Sequence, residues 1–347
     1  MNNIEELKSA WTQLKEDNPK LRIKDAATNL GVSEVQLVQC MEGVTRLCND
    51  WPGLFAEIEN LGYVMALTRN ESVVHERKGE YHNISFNGHV GLVLDPNIDL
   101  RIFPGRIAFA FAVPVQNPRG ELLSVQFFDA FGIAVHKIYV MNDEGKTAYH
   151  DLIKKFTHES QNELITVKEG KAPADYPTAE DFDTEAFLND WAELKDTHDF
   201  YPLIRKHKIS RTDALKVAEG RFTEKVDNSA TEVMLQKAAD QQVSIMVFVS
   251  SGAVIQIHTG EVQKIKKMDQ WLNVLDPEFN LHLREDHIAH SWIVEKPTED
   301  GIVTSLEIFD ANNNNIATFF GARKPGIPEL QSWRDLINEI KNEQVVA

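Results

Sequence analysis

Short segments of this chain recur in unbroken order at an offset of roughly 180 residues, and that repetition limits its fold more than any single motif does. Glu42-Gly43 is answered by Glu219-Gly220, Gly79-Glu80 by Gly260-Glu261, and Leu94-Asp95-Pro96 by Leu275-Asp276-Pro277. Further along, Ile107-Ala108 is answered by Ile288-Ala289, Phe128-Asp129-Ala130 by Phe309-Asp310-Ala311, and Tyr149-His150-Asp151-Leu152-Ile153 by Trp333-Arg334-Asp335-Leu336-Ile337. The period is too long for a solenoid unit, so the chain is a duplicated domain. At 347 residues it has room for two cores. The first repeat is expected over 1–167 and the second over 184–347. Between them, 168–183 is Pro-rich, acidic and without period, as a linker would be.

Within a repeat the pattern changes from helix to strand. Ile4, Leu7, Ala10, Trp11 and Leu14 recur at helical spacing to about Asp17, where Pro19 helps to end the helix. Arg22 to Gln39 reads as helix, Gly turn and Ser33-capped helix, which looks like a DNA-binding helix-turn-helix. A recognition helix needs donors for bases and phosphates, yet Ser33 to Gln39 holds no Lys or Arg and does hold Glu34. A packed helical pair is the better reading, and a DNA-binding regulator is the remote alternative. After a short helix with Leu54, Phe55 and Ile58, β-like runs from Tyr63 to Val140 are punctuated by turn residues such as Lys78-Gly79 and Asn87-Gly88. They predict an antiparallel meander, closed by a helix over about Lys146–Phe156. The fold class is therefore α+β, each half a helical segment plus an antiparallel β-sheet.

Composition narrows the function. A formal charge of -17 opposes general binding to nucleic acid or to an anionic membrane, both of which need a positive field. Cys40 and Cys48 make neither a disulfide framework nor a thiolate metal site, and are expected in one helical segment as buried or half-buried small side chains. The first residues lack the basic and apolar regions of a signal peptide, and no apolar run approaches a bilayer span, so a cytoplasmic location is expected and membrane insertion is not.

Duplication also supplies an internal control: polar positions that differ between the copies are candidates for a site. Trp191, Leu194 and Lys195 coincide with Trp11, Leu14 and Lys15, whereas His198 faces Asn18 and Arg211 faces Glu34. Likewise Arg101 faces His282 and Arg106 faces His287. His198 follows a helical stripe and precedes Pro202, which places it at a helix exit or turn. There it either presents one nitrogen to a ligand while Asp196, Asp199 or a carbonyl holds the other, or it is a surface or structural histidine. The run His282-Leu-Arg-Glu-Asp-His287-Ile-Ala-His290, read as one strand, puts His282 and His290 on one face and His287 on the other, a poor zinc set. Gly-rich phosphate loops and a Gly-x-Ser-x-Gly elbow are absent from the sequence.

Several motifs together resemble the haem-trafficking and haem-degrading proteins of Gram-negative haem uptake, the haemin-degrading factor (HemS/ChuS/HmuS) type. They are the tandem duplication, Trp-x-x-Leu-Lys-Asp-x-His at 191–198, Asp-Leu-Arg-Ile-Phe at 99–103 and Phe-Phe-Gly-x-Arg-x-x-Gly at 319–326. The resemblance implies a haem cleft between the halves, with haem b (iron protoporphyrin IX) as ligand or substrate. It implies His198 as the proximal iron ligand and catalytic residue, and Arg101 as the distal residue acting through bound water, where a guanidinium can stabilise bound oxygen or peroxide. Phe103 is then expected to line the distal pocket. Arg211, Lys296 and Arg323 are expected at the propionates, where a cation answers each carboxylate.

The match departs from the family pattern at one place. Where the family commonly has a Gln and a Tyr two apart near the propionates, this chain has Thr318 and Phe320. Phe320 cannot donate a hydrogen bond, so anchoring should lean on Arg323 and Lys296. The implied function is binding of imported haem and its breakdown to release iron, as an oxidoreductase using oxygen and an external electron donor or a reductive, nicotinamide-dependent opening. The alternative is a chaperone or storage protein that passes intact haem to a separate oxygenase. Expected partners are an inner-membrane haem importer or a downstream haem oxygenase, with no nucleic acid.

Overall fold

The computed structural model describes residues 3–117, 120–170, 178–179, 181–324 and 326–344. Much of the expected linker, 171–177 and 180, lies outside the described residues. The first half opens with α1 (Ile4–Asp17), α2 (Ile23–Leu30), α3 (Glu34–Gln39), β1 (Thr45–Leu47) and α4 (Trp51–Ile58). Eight strands follow: β2 (Val64–Arg69), β3 (Val73–Gly79), β4 (Ser85–Asn87), β5 (Val90–Leu94), β6 (Asp99–Ile102), β7 (Phe109–Asn117), β8 (Gly120–Phe128) and β9 (Ala134–Val140). Helix α5 (Glu144–Phe156) ends this half.

The second half repeats the plan with α6 (Thr184–Ala192), α7 (Phe200–Lys206), α8 (Arg211–Val217), β10 (Thr223–Val226) and α9 (Ala230–Asp240). Its strands are β11 (Ile245–Ser250), β12 (Val254–Gly260), β13 (Ile265–Met268), β14 (Trp271–Leu275), β15 (Phe279–Arg284), β16 (His290–Thr298), β17 (Gly301–Phe309) and β18 (Asn315–Gly321), before α10 (Gln331–Gln344).

Local chemistry sets these boundaries. Asn3 caps α1 by accepting from the Glu6 N–H at 2.8 Å, and Leu7 and Trp11 form its buried stripe. Gly31, at φ +66, ends α2 in the left-handed conformation that a side chain resists. Ser33 and Gln36 then form a capping box that starts α3. Glu34, Val35, Leu37, Val38 and Gln39 of α3 are buried, so the helix that resembled a DNA reader spends its side chains on the protein interior.

Three local expectations need correction. Strands β1 and β10 were not foreseen, because three or four residues are too short to show alternation. Cys48 follows β1 rather than sharing a helix with Cys40: α3 ends at Gln39, and Gly43, at φ +73, turns the chain away. The His282–His290 run is not one strand, since a 3₁₀ turn at Glu285–His287 separates β15 from β16. His282 Nδ1 instead meets Asn273 Oδ1 at 2.7 Å, and His287 Nδ1 meets Ser72 Oγ at 3.0 Å.

The strands form two nine-stranded sheets, in the orders β1-β7-β8-β9-β2-β3-β15-β14-β13 and β10-β16-β17-β18-β11-β12-β6-β5-β4. Each sheet thus takes six strands from one half of the sequence and three from the other, which a simple meander does not anticipate. The chain folds as two compact units, and each borrows a short segment from the other half. The first unit comprises Met1–Arg69, Glu76–Ala172 and Ser250–Gln256; the second comprises Asn70–His75, Pro173–Val249 and Ile257–Ala347.

In the first unit, β7 and β8 are covered on both faces. Phe127 packs with Trp51, Phe55 and Tyr149 of α4 and α5, while Phe128, one residue on, packs with Phe111, Val35 and Val38 on the α3 side. In the second unit, Leu306 and Ile308 of β17 face Trp333 and Leu336 of α10, whereas Phe309 joins Trp191, Phe200 and Leu215 of α6 to α8. Burial on both faces explains why 123–128 of β8 and 303–309 of β17 are buried without a break and do not alternate cleanly between apolar and polar residues.

His136 of β9 lies inside the first unit, between Thr68 Oγ1 at 2.8 Å and Tyr81 Oη at 2.7 Å. Burial pushes its pKa down to about 3, so the folded chain keeps it neutral. Below about pH 6.5 the unfolded chain takes up a proton that the folded one refuses, so stability falls with pH by up to about 1.4 kcal/mol per unit. The expected result is a urea midpoint that drops between pH 6.5 and 5 in the wild type and drops less in His136→Gln. Parallel pH profiles would remove His136 as the cause.

Candidate functional site

Helix α6 starts at the Asp183 cap, whose carboxylate accepts from the Ala186 N–H at 3.0 Å, and its last turn is anchored by Trp191. Trp191 is fully buried, donates Nε1–H to the Glu295 carbonyl at 3.1 Å, stacks on Phe222 at 5.3 Å and meets Phe200 edge-on at 4.6 Å. This anchor holds the 3₁₀ turn Thr197–Asp199 that carries His198 into α7. Pro202 sits in the first turn of α7, where its missing N–H is tolerated.

Asp196 Oδ1 accepts from the His198 backbone N–H at 2.7 Å and lies 2.6 Å from His198 Nδ1. A carboxylate only accepts, so the proton sits on Nδ1 and the Nε2 lone pair is left to face outward. The His198 side chain is 85% exposed, and among the described residues Nε2 has no hydrogen-bond partner. The His198 N–H is the main cause holding the Asp196 carboxyl below its usual range, and the His198 imidazole and Arg323 add to it.

Two of the three cations expected at the propionates, Arg211 and Lys296, are brought together by a residue that sequence reasoning missed. Glu307 of β17 is fully buried on the α6–α8 face of the sheet. Its Oε2 accepts from Arg211 Nε at 2.9 Å and Nη2 at 2.8 Å; its Oε1 accepts from Lys296 Nζ at 2.8 Å and Ser305 Oγ at 3.2 Å. Burial alone would raise this carboxyl, but Arg211 and Lys296 overcome it and hold the pKa at about 2. Burial likewise pulls the Lys296 ammonium below its ordinary value, with Glu307 opposing.

Lys296 is 4% exposed, its Nζ 4.8 Å from the centre of the Phe200 ring and 5.9 Å from that of Phe320. Arg211, first residue of α8 after the Ser210 cap, is 27% exposed. A signal for Glu307 existed: it is the lone charged residue in 302–309, a β-like segment between apolar ends, and a carboxylate buried there needs a cationic partner.

Arg323 Nη2 lies 3.3 Å from Asp300 Oδ2, and its buried Nε has no hydrogen-bond partner among the described residues. Thr318 is buried, with Oγ1 3.4 Å from Asn315 Oδ1, and Phe320 packs on Phe248 at 5.2 Å. The second unit therefore gathers Arg211, Lys296 and Phe320 around Glu307, and places Arg323 where its charge acts on Asp196, the partner of His198.

Arg101 and Phe103 belong to the first unit. Arg101, on β6, pairs with Asp99 two residues earlier on the same face and is 30% exposed. Burial raises the Asp99 carboxyl and Arg101 opposes that shift. The Phe103 N–H donates to the Ala253 carbonyl at 2.8 Å. Arg106 donates to the Gly252 carbonyl at 2.7 Å and lies 5.4 Å from the Phe103 ring centre, so the borrowed segment 250–256 braces the loop behind Arg101. The counterpart of Arg211 in this unit, Glu34, is also buried in a charged cluster, 3.0 Å from Lys137 Nζ and paired with Arg69. No group of three or more His, Cys, Asp or Glu among the described residues could hold a bare metal ion. None of their helices is long and apolar enough to cross a membrane.

Comparison with known proteins gives the family. The family profile described as the haemin-degrading HemS.ChuX domain matches residues 31–156 and again 208–340. The hemin transport protein HemS of Yersinia enterocolitica is 38% identical over 340 residues, covering 97% of this chain and 98% of that protein. Holo-PhuS, a heme-binding protein from Pseudomonas aeruginosa, has a TM-score of 0.93 at 43% identity, covering 97% of this chain and 99% of that one. ChuS, described as an E. coli heme oxygenase, has a TM-score of 0.86 at 33% identity, covering 98% and 99%. With both repeats matched and nearly the whole chain covered, this protein belongs to the haemin-degrading HemS/ChuX family of haem-binding proteins.

Proposed function

We propose that this chain is a cytoplasmic protein that receives imported haem and opens the macrocycle to release its iron. The observation that carries the reading is His198: an outward imidazole whose Nδ1–H donates to Asp196, leaving Nε2 free to ligate iron. Arg211, Lys296 and Arg323 in the same unit supply the cations that two propionates require, in a chain whose overall net charge is -17. In the first unit Arg101, oriented by Asp99, is the distal residue, with Phe103 beside it. Unpaired Cys40 and Cys48 suit a reducing compartment. A haem carrier that hands its ligand on intact is the second reading, favoured by a relative named a transport protein where another is named an oxygenase.

The test starts with a haemin titration followed by visible absorption, in which a saturable Soret band is expected. Ascorbate, or NADPH with a reductase, is then added with catalase present. Loss of the Soret band with free iron and a linear tetrapyrrole establishes an enzyme, and intact haem establishes a carrier. Arg101→Ala is expected to change haemin affinity only a few-fold while slowing ring opening about a hundredfold, the usual cost of losing one preorganised donor. Abolished binding would instead make Arg101 an anchoring residue.

A further inference from the structure

We propose that Glu307 is a positioning residue of the haem site: it clamps Arg211 so that the exposed edge of its guanidinium meets a ligand carboxylate, while Lys296 serves that contact through Glu307 rather than by touching the ligand. The inference rests on the haem reading above and goes beyond it, because Glu307 is fully buried against Arg211 and Lys296 and no motif pointed to it.

Three observations carry it. First, Arg211 engages Oε2 through both Nε and Nη2, at 2.9 and 2.8 Å, which fixes the plane of the guanidinium in a side chain that keeps 27% of its surface exposed. Second, Lys296 is 4% exposed and bonds Oε1, so its own reach to a ligand is closed. Its contribution is charge: two cations around one carboxylate leave the cluster with one net positive charge, whereas Arg211 and Glu307 alone would cancel. Third, burying an ion pair costs desolvation that its Coulomb attraction often does no more than offset, so packing alone would be served as well by apolar side chains. A fixed guanidinium is what such a cluster yields that an apolar core does not. Phe320 offers no hydrogen-bond donor and lies beside the Lys296 ammonium at 5.9 Å, so a fixed Arg211 contact carries more of the anchoring.

The experiment compares wild type, Glu307→Gln and Glu307→Asp in titrations with haemin and with haemin dimethyl ester, whose carboxylates are blocked. Glu307→Gln is expected to lower haemin affinity about 10- to 100-fold, the range of a charge-assisted hydrogen bond, while leaving ester affinity and the Soret position of the haemin complex unchanged. Glu307→Asp, which keeps the charge and shortens the reach, is expected to recover part of the loss, and it carries the test if the Gln variant does not fold. Equal weakening for both ligands would reduce Glu307 to a structural role and overturn the proposal. Unchanged or tighter haemin binding would overturn it too, the latter by making Glu307 a competitor for the cations. If the wild type binds neither ligand, the haem reading itself has failed, a result distinct from wild-type binding that the variants leave intact.

Discussion

His198→Ala is expected to lower haemin affinity more than about a hundredfold and to shift the Soret and visible bands of whatever complex remains. Loss of a partner that merely orients a metal-bound histidine costs roughly 10- to 100-fold, so loss of the ligand itself should exceed that range. The graded control is Asp196→Asn: Asp196 Oδ1 accepts from His198 Nδ1–H with the two heavy atoms 2.6 Å apart, and an amide weakens that hold without deleting the imidazole. Affinity should fall within the 10- to 100-fold range while the spectrum keeps its histidine-ligated form. Added imidazole should restore the spectrum of His198→Ala, because the missing ligand is small and the turn is exposed. An unchanged spectrum in His198→Ala would assign the iron to another residue.

The second large effect concerns a residue that the ligand need not touch. Trp191→Ala should destabilise the second unit by about 3–5 kcal/mol, the range for deleting a buried aromatic. Trp191 fills the space among Phe187, Phe200 and Phe222 and bonds the Glu295 carbonyl, so its loss leaves a cavity and an unpaired acceptor. A urea midpoint measures this directly. Haemin affinity should fall with it, since Trp191 and Phe200 flank the turn that presents His198. A midpoint within experimental error of the wild type would mean that this aromatic cluster is not what supports the turn.

Trp191 also marks how far the sequence could be read. Its coincidence with Trp11 identified scaffold, and both side chains are buried. The stripe that ends at Pro202 located His198 on a turn, and Asp196 was among its named partners. The last two signals are local, carried by spacing within about two helical turns. What escaped was long-range. Glu307 is 96 residues from Arg211 and meets it only because α8 packs on the face of β17 opposite to Leu306 and Ile308. The unlike pair Glu34 and Arg211 pointed to chemistry, yet both turned out to sit in buried charged clusters, with the acid on the helix in one unit and on the sheet in the other. Comparing the copies detects such an inversion at one position and cannot name its partner, since the partners occupy different places: Lys137 aligns with Thr318 rather than with Glu307. The exchange of segments 70–75 and 250–256 left no periodic trace either, because strand alternation is the same whichever neighbour a strand joins.

That exchange governs when the protein can fold during synthesis. The first unit lacks a part until Ser250–Gln256 has left the ribosome, although the rest of it ends at Ala172. Roughly 80 residues separate the two, so at about 5–20 residues per second a nearly finished core waits on the order of ten seconds for its last strand segment. Through that interval Phe103 N–H has no Ala253 carbonyl to meet and Arg106 no Gly252 carbonyl, so the loop behind Arg101 is among the last parts of the first unit to be built. A nascent chain stalled before Gly252 would carry Arg101 on an unbraced loop, and a gene cut at the repeat boundary would encode neither unit whole.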